Sequence, residues 1–185
     1  MENQDIEFYE EMKEKYKNDV GMLVTFAGDQ GDIAFLQELA ETGRFNPLAT
    51  TPLEGWSYLH KVNLGEACPL STIRFYLDKG VAVNAQDCYG MTPLHYALRA
   101  QNADAAIALL EAGADPNIPN IDNLRPLSMV GYTKDRLDVL ELMLKNGGNV
   151  HNIINDNETI LESWKPSTTS SQWEIDIYEL MKQYA

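Results

Sequence analysis

Apolar residues in the middle of the chain recur at helical spacing in short bursts, each closed by a glycine. Leu94, Ala97 and Leu98 form one apolar stripe; Gln101, Asn102 and Asp104 make a polar turn; Ala106, Ile107, Leu109 and Leu110 form a second stripe ahead of Gly113. Spacings of three and four put such residues on one side of a helix. A glycine just past the last of them is placed to end the helix in a left-handed conformation. In front of the first stripe, Thr92 is suited to cap a helix and Pro93 to fill its first turn, where a missing N–H costs nothing. The pattern predicts a helix, a turn, a second helix and a loop.

The unit repeats. Residues 87–119, DCYGMTPLHYALRAQNADAAIALLEAGADPNIP, make one copy of 33 residues. Upstream, Gly55, Leu59 and His60 lie 35 positions before Gly90, Leu94 and His95, while Gly80 lies 33 before Gly113, so two residues are inserted between the helices. Downstream, Pro126 and Leu127 lie 33 positions after Pro93 and Leu94, and Gly147 lies 34 after Gly113, which puts one extra residue in the turn GYTKDRLD. A last partial copy, DNETILESW, puts Leu161 34 positions after Leu127 and is closed by SQWEIDIYELMKQY. At the front, MLVTFAGDQGDIAFLQELAETG supplies a helix pair, and IEFYEEMKEKY before it reads as an added acidic, amphipathic helix.

The period, the Thr92-Pro93-Leu94-His95 element and the Gly113-Ala114-Asp115 ending together resemble the ankyrin repeat, whose period is 33. Tetratricopeptide repeats have a similar period but lack both elements. The resemblance covers about residues 22–184 and implies an all-α fold: an ankyrin-repeat solenoid of about five helix pairs with an extra N-terminal helix. One such unit cannot bury its own apolar face, so the copies are expected to stack in a single domain over residues 1–185. Its expected parts are an acidic N-terminal helix (1–20), an N-capping repeat (21–50), three repeats (51–85, 86–119 and 120–153) and a C-capping repeat (154–185).

Charge narrows the function. With 14 Lys+Arg against 28 Asp+Glu, the formal net charge is -14. Such a surface repels nucleic-acid phosphates and anionic lipid, and it speeds encounter with a basic partner. Nucleic acid and membrane are therefore not expected as ligands. The segment MENQDIEFYEEMKEKYKNDV has no basic start followed by an apolar core, and no apolar run is long enough to span a bilayer, so the expected location is the cytoplasm. Cys68 and Cys88 lack the spacing of a zinc site and are expected to be reduced thiols. The Asn157-Glu158-Thr159 triplet matches a glycosylation acceptor only by coincidence, given that location.

Catalytic chemistry is not indicated. No HExxH, GxSxG, Walker loop or GxGxxG occurs, and the glycines fall at helix ends. His60 and His95 occupy the histidine slot of the repeat, where the resemblance implies hydrogen bonds to backbone between neighbouring repeats. His151 takes the loop slot filled by Asn84 and Asn117. No cofactor, metal or catalytic residue is expected.

The resemblance implies instead that partner contacts lie on the inter-repeat loops and late in each first helix. Copy by copy, these are Leu53, Glu54 and Trp56; then Tyr89, Met91 and Arg99; then Ile121, Asp122, Leu124 and Tyr132; and last Asp156 and Glu158. Trp56, Tyr89, Met91, Ile121, Leu124 and Tyr132 are large or apolar at positions expected to be exposed, as interface anchors are. Replacing Trp56 and Tyr89 by alanine is accordingly expected to weaken binding and leave unfolding nearly unchanged. Trp164 and Trp173 are expected to seal the end of the core. The expected function is a non-catalytic, acidic binding protein, monomeric when unbound, that neutralises a partner with a basic surface. An immunity protein against a toxin such as a nuclease is its sharpest form, and an ankyrin scaffold, adaptor or host-directed effector is the alternative.

Overall fold

The computed structural model describes residues 3–65, 67–155 and 157–185, the side chains of residues 3–6 and 155 excepted. Helix pairs follow one another along the chain: α2 (Val20–Gln30) with α3 (Ile33–Glu41), α4 (Tyr58–Lys61) with α5 (Leu70–Asp78), and α6 (Pro93–Arg99) with α7 (Ala103–Glu111). A 3₁₀ helix (Pro126–Thr133) then pairs with α8 (Leu137–Lys145), and α9 (Ile160–Ser163) with α10 (Gln172–Lys182). α1 (Asn3–Lys15) precedes them all. The first helices pack in one row, with α6 against both α4 and the 3₁₀ helix, and the second helices in another, running α3, α5, α7, α8, α10. This is an all-α solenoid.

Local chemistry explains the units. α6 begins at Thr92 with Pro93 in its first turn, and α7 begins at Asn102, whose side-chain oxygen accepts from the Ala105 N–H at 3.0 Å. Asp32 caps α3 in the same way through the Phe35 N–H. Each cap satisfies a donor that the helix itself leaves unpaired. Gly113 ends the second helix of its unit at φ +91°, the left-handed conformation anticipated for it. Leu94, Ala97 and Leu98 from α6, with Leu109 and Leu110 from α7, are buried in a core that runs from Leu23 to Met181.

Polar side chains tie neighbouring units at the turns. The Thr72 hydroxyl donates to the Gly28 carbonyl at 2.6 Å, Asn102 Nδ2 to the Cys68 carbonyl at 3.1 Å, and Asn146 Nδ2 to the Leu110 carbonyl at 2.8 Å. α1 packs on α2 and is anchored by the Tyr9 hydroxyl, which donates to Asp32 at 3.0 Å, and by the Lys13 ammonium over the Phe35 ring at 4.3 Å. Most of the stack's stability is nearest-neighbour packing of this kind.

Three first helices depart from a full α-helix: α4 and α9 have four residues each, and residues 126–133 wind differently. α4 is a single turn: it lacks the proline of α6, and Asn63 Nδ2 bonds back to the Leu59 carbonyl at 3.0 Å as the inserted loop begins. Residues 126–133 wind as a 3₁₀ helix because Val130, Gly131 and Thr133 are poor α-helix formers and the inserted residue follows directly. The last loop also forms a short antiparallel hairpin, β1 (Ile153–Asn155) with β2 (Glu158–Thr159).

Candidate functional site

The loops between pairs project as fingers, each a tight turn. Their necks are closed by the Thr51 N–H on the Trp56 carbonyl, the Asp87 N–H on the Met91 carbonyl and the Asn120 N–H on the Leu124 carbonyl, at 2.8–3.0 Å. At the tips Gly55, Gly90, Asn123 and Asn157 hold positive φ, between +62° and +72°. Adjacent fingers are stitched together: the Cys88 N–H donates to the Glu54 carbonyl at 2.7 Å and the Ile121 N–H to the Tyr89 carbonyl at 3.0 Å. Asn123 Nδ2 continues the ladder to the Ile153 and Ile154 carbonyls, both at 2.9 Å. Gly90 is where two fingers come closest, since a Cβ there would lie 3.1 Å from Asn120 Cα and 3.2 Å from Ile121 N.

The histidines brace this face from below. The Thr92 N–H donates to His95 Nδ1 at 3.0 Å, so Nε2 carries the ring proton and donates it to the Leu124 carbonyl at 3.1 Å, in the next finger. His60 repeats the arrangement between the Ser57 N–H and the Met91 carbonyl. Burial lowers both imidazole pKa values, against the opposing pull of the carbonyl bonds, and brings His95 to about 4. Both rings are thus neutral struts, closed to substrate. Burial also raises the Cys68 thiol to about 12. Cys88 is free and exposed.

At the root of the second finger sits a hub that sequence reading missed. Asp87 Oδ1 accepts from the Tyr89 and Met91 N–H groups at 2.9 and 2.8 Å, and Oδ2 from the Tyr96 hydroxyl at 2.6 Å and the Trp56 indole N–H at 2.9 Å. Burial of Asp87 works to raise its pKa, but the donors, Tyr96 first among them, outweigh it and the pKa is lowered. Burial and the bond to Asp87 push the Tyr96 hydroxyl up to about 12. The recurrence was visible, because Asn120 stands 33 positions after Asp87 and its Oδ1 likewise accepts from the Asp122 and Leu124 N–H groups.

The predicted contact residues divide accordingly. Leu53 (86% exposed), Ile121 (69%) and Tyr89 (49%) stand on finger tips, with Glu54 and Asp122 beside them and Leu124 exposed behind. Ile153, also exposed, extends the apolar row and was not anticipated. Glu158 is exposed in β2, and Asp156 lies outside the described residues. Met91 corrects the expectation of exposure: at 6% it is buried beneath the finger, with the Arg99 guanidinium 3.8 Å from its sulfur. Trp56 is largely covered and is bonded into the Asp87 hub, so it braces the fingers from within. Tyr132 is exposed but lies at the far end of the 3₁₀ helix, in a cleft with Trp164 and Trp173, away from the finger row.

Among the described residues, no group of three or more histidine, cysteine, aspartate or glutamate side chains is arranged to hold a metal ion, and no helix is long and apolar enough to cross a membrane.

Comparison with known proteins agrees with this architecture. The family model for ankyrin repeats in three copies matches residues 22–120 and 64–156. An ankyrin repeat protein of fowlpox virus is 37% identical over 75 residues, which cover 40% of this chain and 11% of the viral one. Ankyrin repeat domain-containing protein 53 of Macaca fascicularis is 43% identical over 81 residues, 41% of this chain and 16% of its own. An ankyrin and IPT/TIG repeat-containing protein of Schizosaccharomyces pombe is 37% identical over 76 residues, 40% of this chain and 6% of its own. The chain thus spans a small part of the length of each of these relatives.

Proposed function

Because the chain belongs to the ankyrin-repeat family, a family of protein-interaction modules that are generally non-catalytic, we propose that its finger row binds and neutralises a protein with a basic surface. One observation carries the reading. The loop segments 46–56, 81–91, 114–124 and 148–158 contain no lysine or arginine, while Glu54, Asp115, Asp122, Asp156 and Glu158 fall within them; Asp87 is taken up in the hub, and Arg99 and Arg125 reach in only at the finger bases, on Met91 and on the Ile153 carbonyl. Leu53, Tyr89, Ile121 and Ile153 add exposed apolar anchors to the same row. Apolar anchors with a mainly acidic rim suit a partner whose cationic site is covered on binding: the carboxylates raise the encounter rate and the anchors slow escape.

The sharpest form of this reading is an immunity protein against a toxin such as a nuclease, whose cationic active site an acidic face would occlude. The unbound chain is then a monomer. The test is affinity capture from the native source with the wild-type chain and with the Tyr89→Ala/Ile121→Ala variant, followed by assay of the captured protein's activity. A basic protein retained by the wild type, lost by the variant and inhibited while bound supports the proposal. A partner retained equally by both would place the contact elsewhere, and one that stays fully active when bound would make the chain a scaffold.

A further inference from the structure

The first and second helices run in opposite directions, so the turns that join them form an edge of the stack opposite the fingers. On that edge the 3₁₀ helix and the C-terminal unit leave an open cleft of about 630 Å³. Its walls include three aromatic side chains, Tyr132, Trp164 and Trp173, with Met129 behind them. The two indoles meet edge to face, their centroids 6.0 Å apart. A Cβ on Gly131 would lie 3.0 Å from the ring of Trp164, so that indole can sit where it does because residue 131 has no side chain. Both tryptophans pack against the core on one side, as expected of residues that seal its end, and both are only partly buried.

The charges in the cleft indicate what it accepts. The Lys134 ammonium lies over the face of Trp173, 5.5 Å from the ring centroid. Arg136, the other cation of the cleft, is held by Asp104 and Asp138, each at 2.9 Å. The Asp135 carboxylate is exposed on the rim. An ammonium over an aromatic face is attracted by the negative charge of the π cloud, and aromatic walls with a nearby carboxylate are the arrangement that selects alkylated ammonium groups. Lys134 is exposed on a flexible stem, so it is a resident cation that a better one can displace.

The geometry points to a second binding site in this cleft, formed by Tyr132, Trp164, Trp173 and Asp135, for an alkylammonium group. It is independent of the finger row, shares no residue with it, and stands whether or not the fingers bind a basic protein. The net charge of -14 draws a cationic ligand toward it.

The test is a titration of the full chain, labelled with ¹⁵N, followed through its indole N–H resonances. Tetramethylammonium and n-butylammonium chlorides are compared with sodium chloride at equal ionic strength. Trp56, hydrogen-bonded at the finger root, serves as the internal control. The expected result is saturable movement of the Trp164 and Trp173 signals with a millimolar midpoint and no movement of Trp56. Preference for tetramethylammonium identifies a quaternary ammonium ligand; equal response to butylammonium identifies a lysine-like one. Lys134→Ala is expected to tighten binding about threefold by removing the resident cation. Asp135→Asn and Trp173→Phe are expected to weaken it while the remaining spectrum keeps the folded pattern. Shifts that are linear and equal in sodium chloride, or weaker binding in Lys134→Ala, overturn the proposal.

Discussion

Replacing Trp56 by phenylalanine removes one N–H from the finger root and keeps a ring in place. In the wild type that N–H donates to Asp87 Oδ2 at 2.9 Å and lies 3.1 Å from the Tyr96 oxygen, with the indole edge-on to the Tyr96 ring at 6.4 Å. A hydrogen bond to a charged acceptor contributes about 1.5–3 kcal/mol. Trp56 keeps some exposure and Asp87 keeps its bonds from Tyr96, Tyr89 and Met91, so water offsets part of the loss. The expected cost is about 1–2 kcal/mol, which for a chain of this size lowers the melting temperature by about 3–6 °C. Tyr96→Phe removes the shorter bond to the same oxygen, so the two changes share an acceptor. Urea unfolding of both single variants and the double variant is expected to give a coupling energy of about 0.5–1 kcal/mol. Additive effects, each below about 0.5 kcal/mol, would refute the hub. That outcome would also restore Trp56 to the freely exposed anchor its position in the sequence suggested.

Further measurements test other parts of the stack. Gly113→Ala introduces a side chain at φ +91° with open space around it and is expected to cost about 1 kcal/mol, whereas Gly90→Ala adds contact with the next finger's backbone and is expected to cost at least about twice that in thermal unfolding. Equal costs would mean the fingers do not touch there. His95 has a folded pKa of about 4, below the ordinary imidazole value of 6.5, so between these two pH values the unfolded chain binds more protons than the folded one. Its contribution is whole above about pH 6.5 and is lost as pH falls toward 4, a change of about 3 kcal/mol; NMR titration of the ring gives a direct check, and a midpoint near 6.5 contradicts the buried neutral strut. Tyr89→Ala with Ile121→Ala is expected to leave the unfolding free energy, read from urea titration, within about 0.5 kcal/mol of wild type while abolishing capture of the partner; a large loss of stability would place those side chains in the core.

Much of the architecture is written in short-range terms. Thr92-Pro93 starting a helix, Gly113 ending one and the leucines three and four apart between them depend on residues within one unit, and the 33-residue recurrence carries that chemistry to the neighbours. The histidine slot was legible for the same reason, since Thr92 and His95 lie one turn apart. Of the finger tips, Leu53, Tyr89 and Ile121 stand exposed where the repeat put them, because a tight turn around a left-handed tip residue leaves its flanking side chains in solvent.

What only the tertiary structure decided lies between units. Trp56 reaches Asp87 and Tyr96, 31 and 40 residues away, and no periodic pattern records that an indole N–H will find a carboxylate across a repeat boundary. Met91 lies buried where the same loop position was expected to face solvent, because the second finger folds over it and Arg99 covers its sulfur. The inserted residue and the poor helix formers beside it announced an irregularity at residues 126–133, but only the packing of the last units left a cleft between that 3₁₀ helix and the C-terminal unit. Trp164 and Trp173 could be read as seals from their place near the end of the chain. That their rings also line a cleft holding the Lys134 ammonium follows from how the last units meet, since side chains far apart in sequence converge only once the stack has formed.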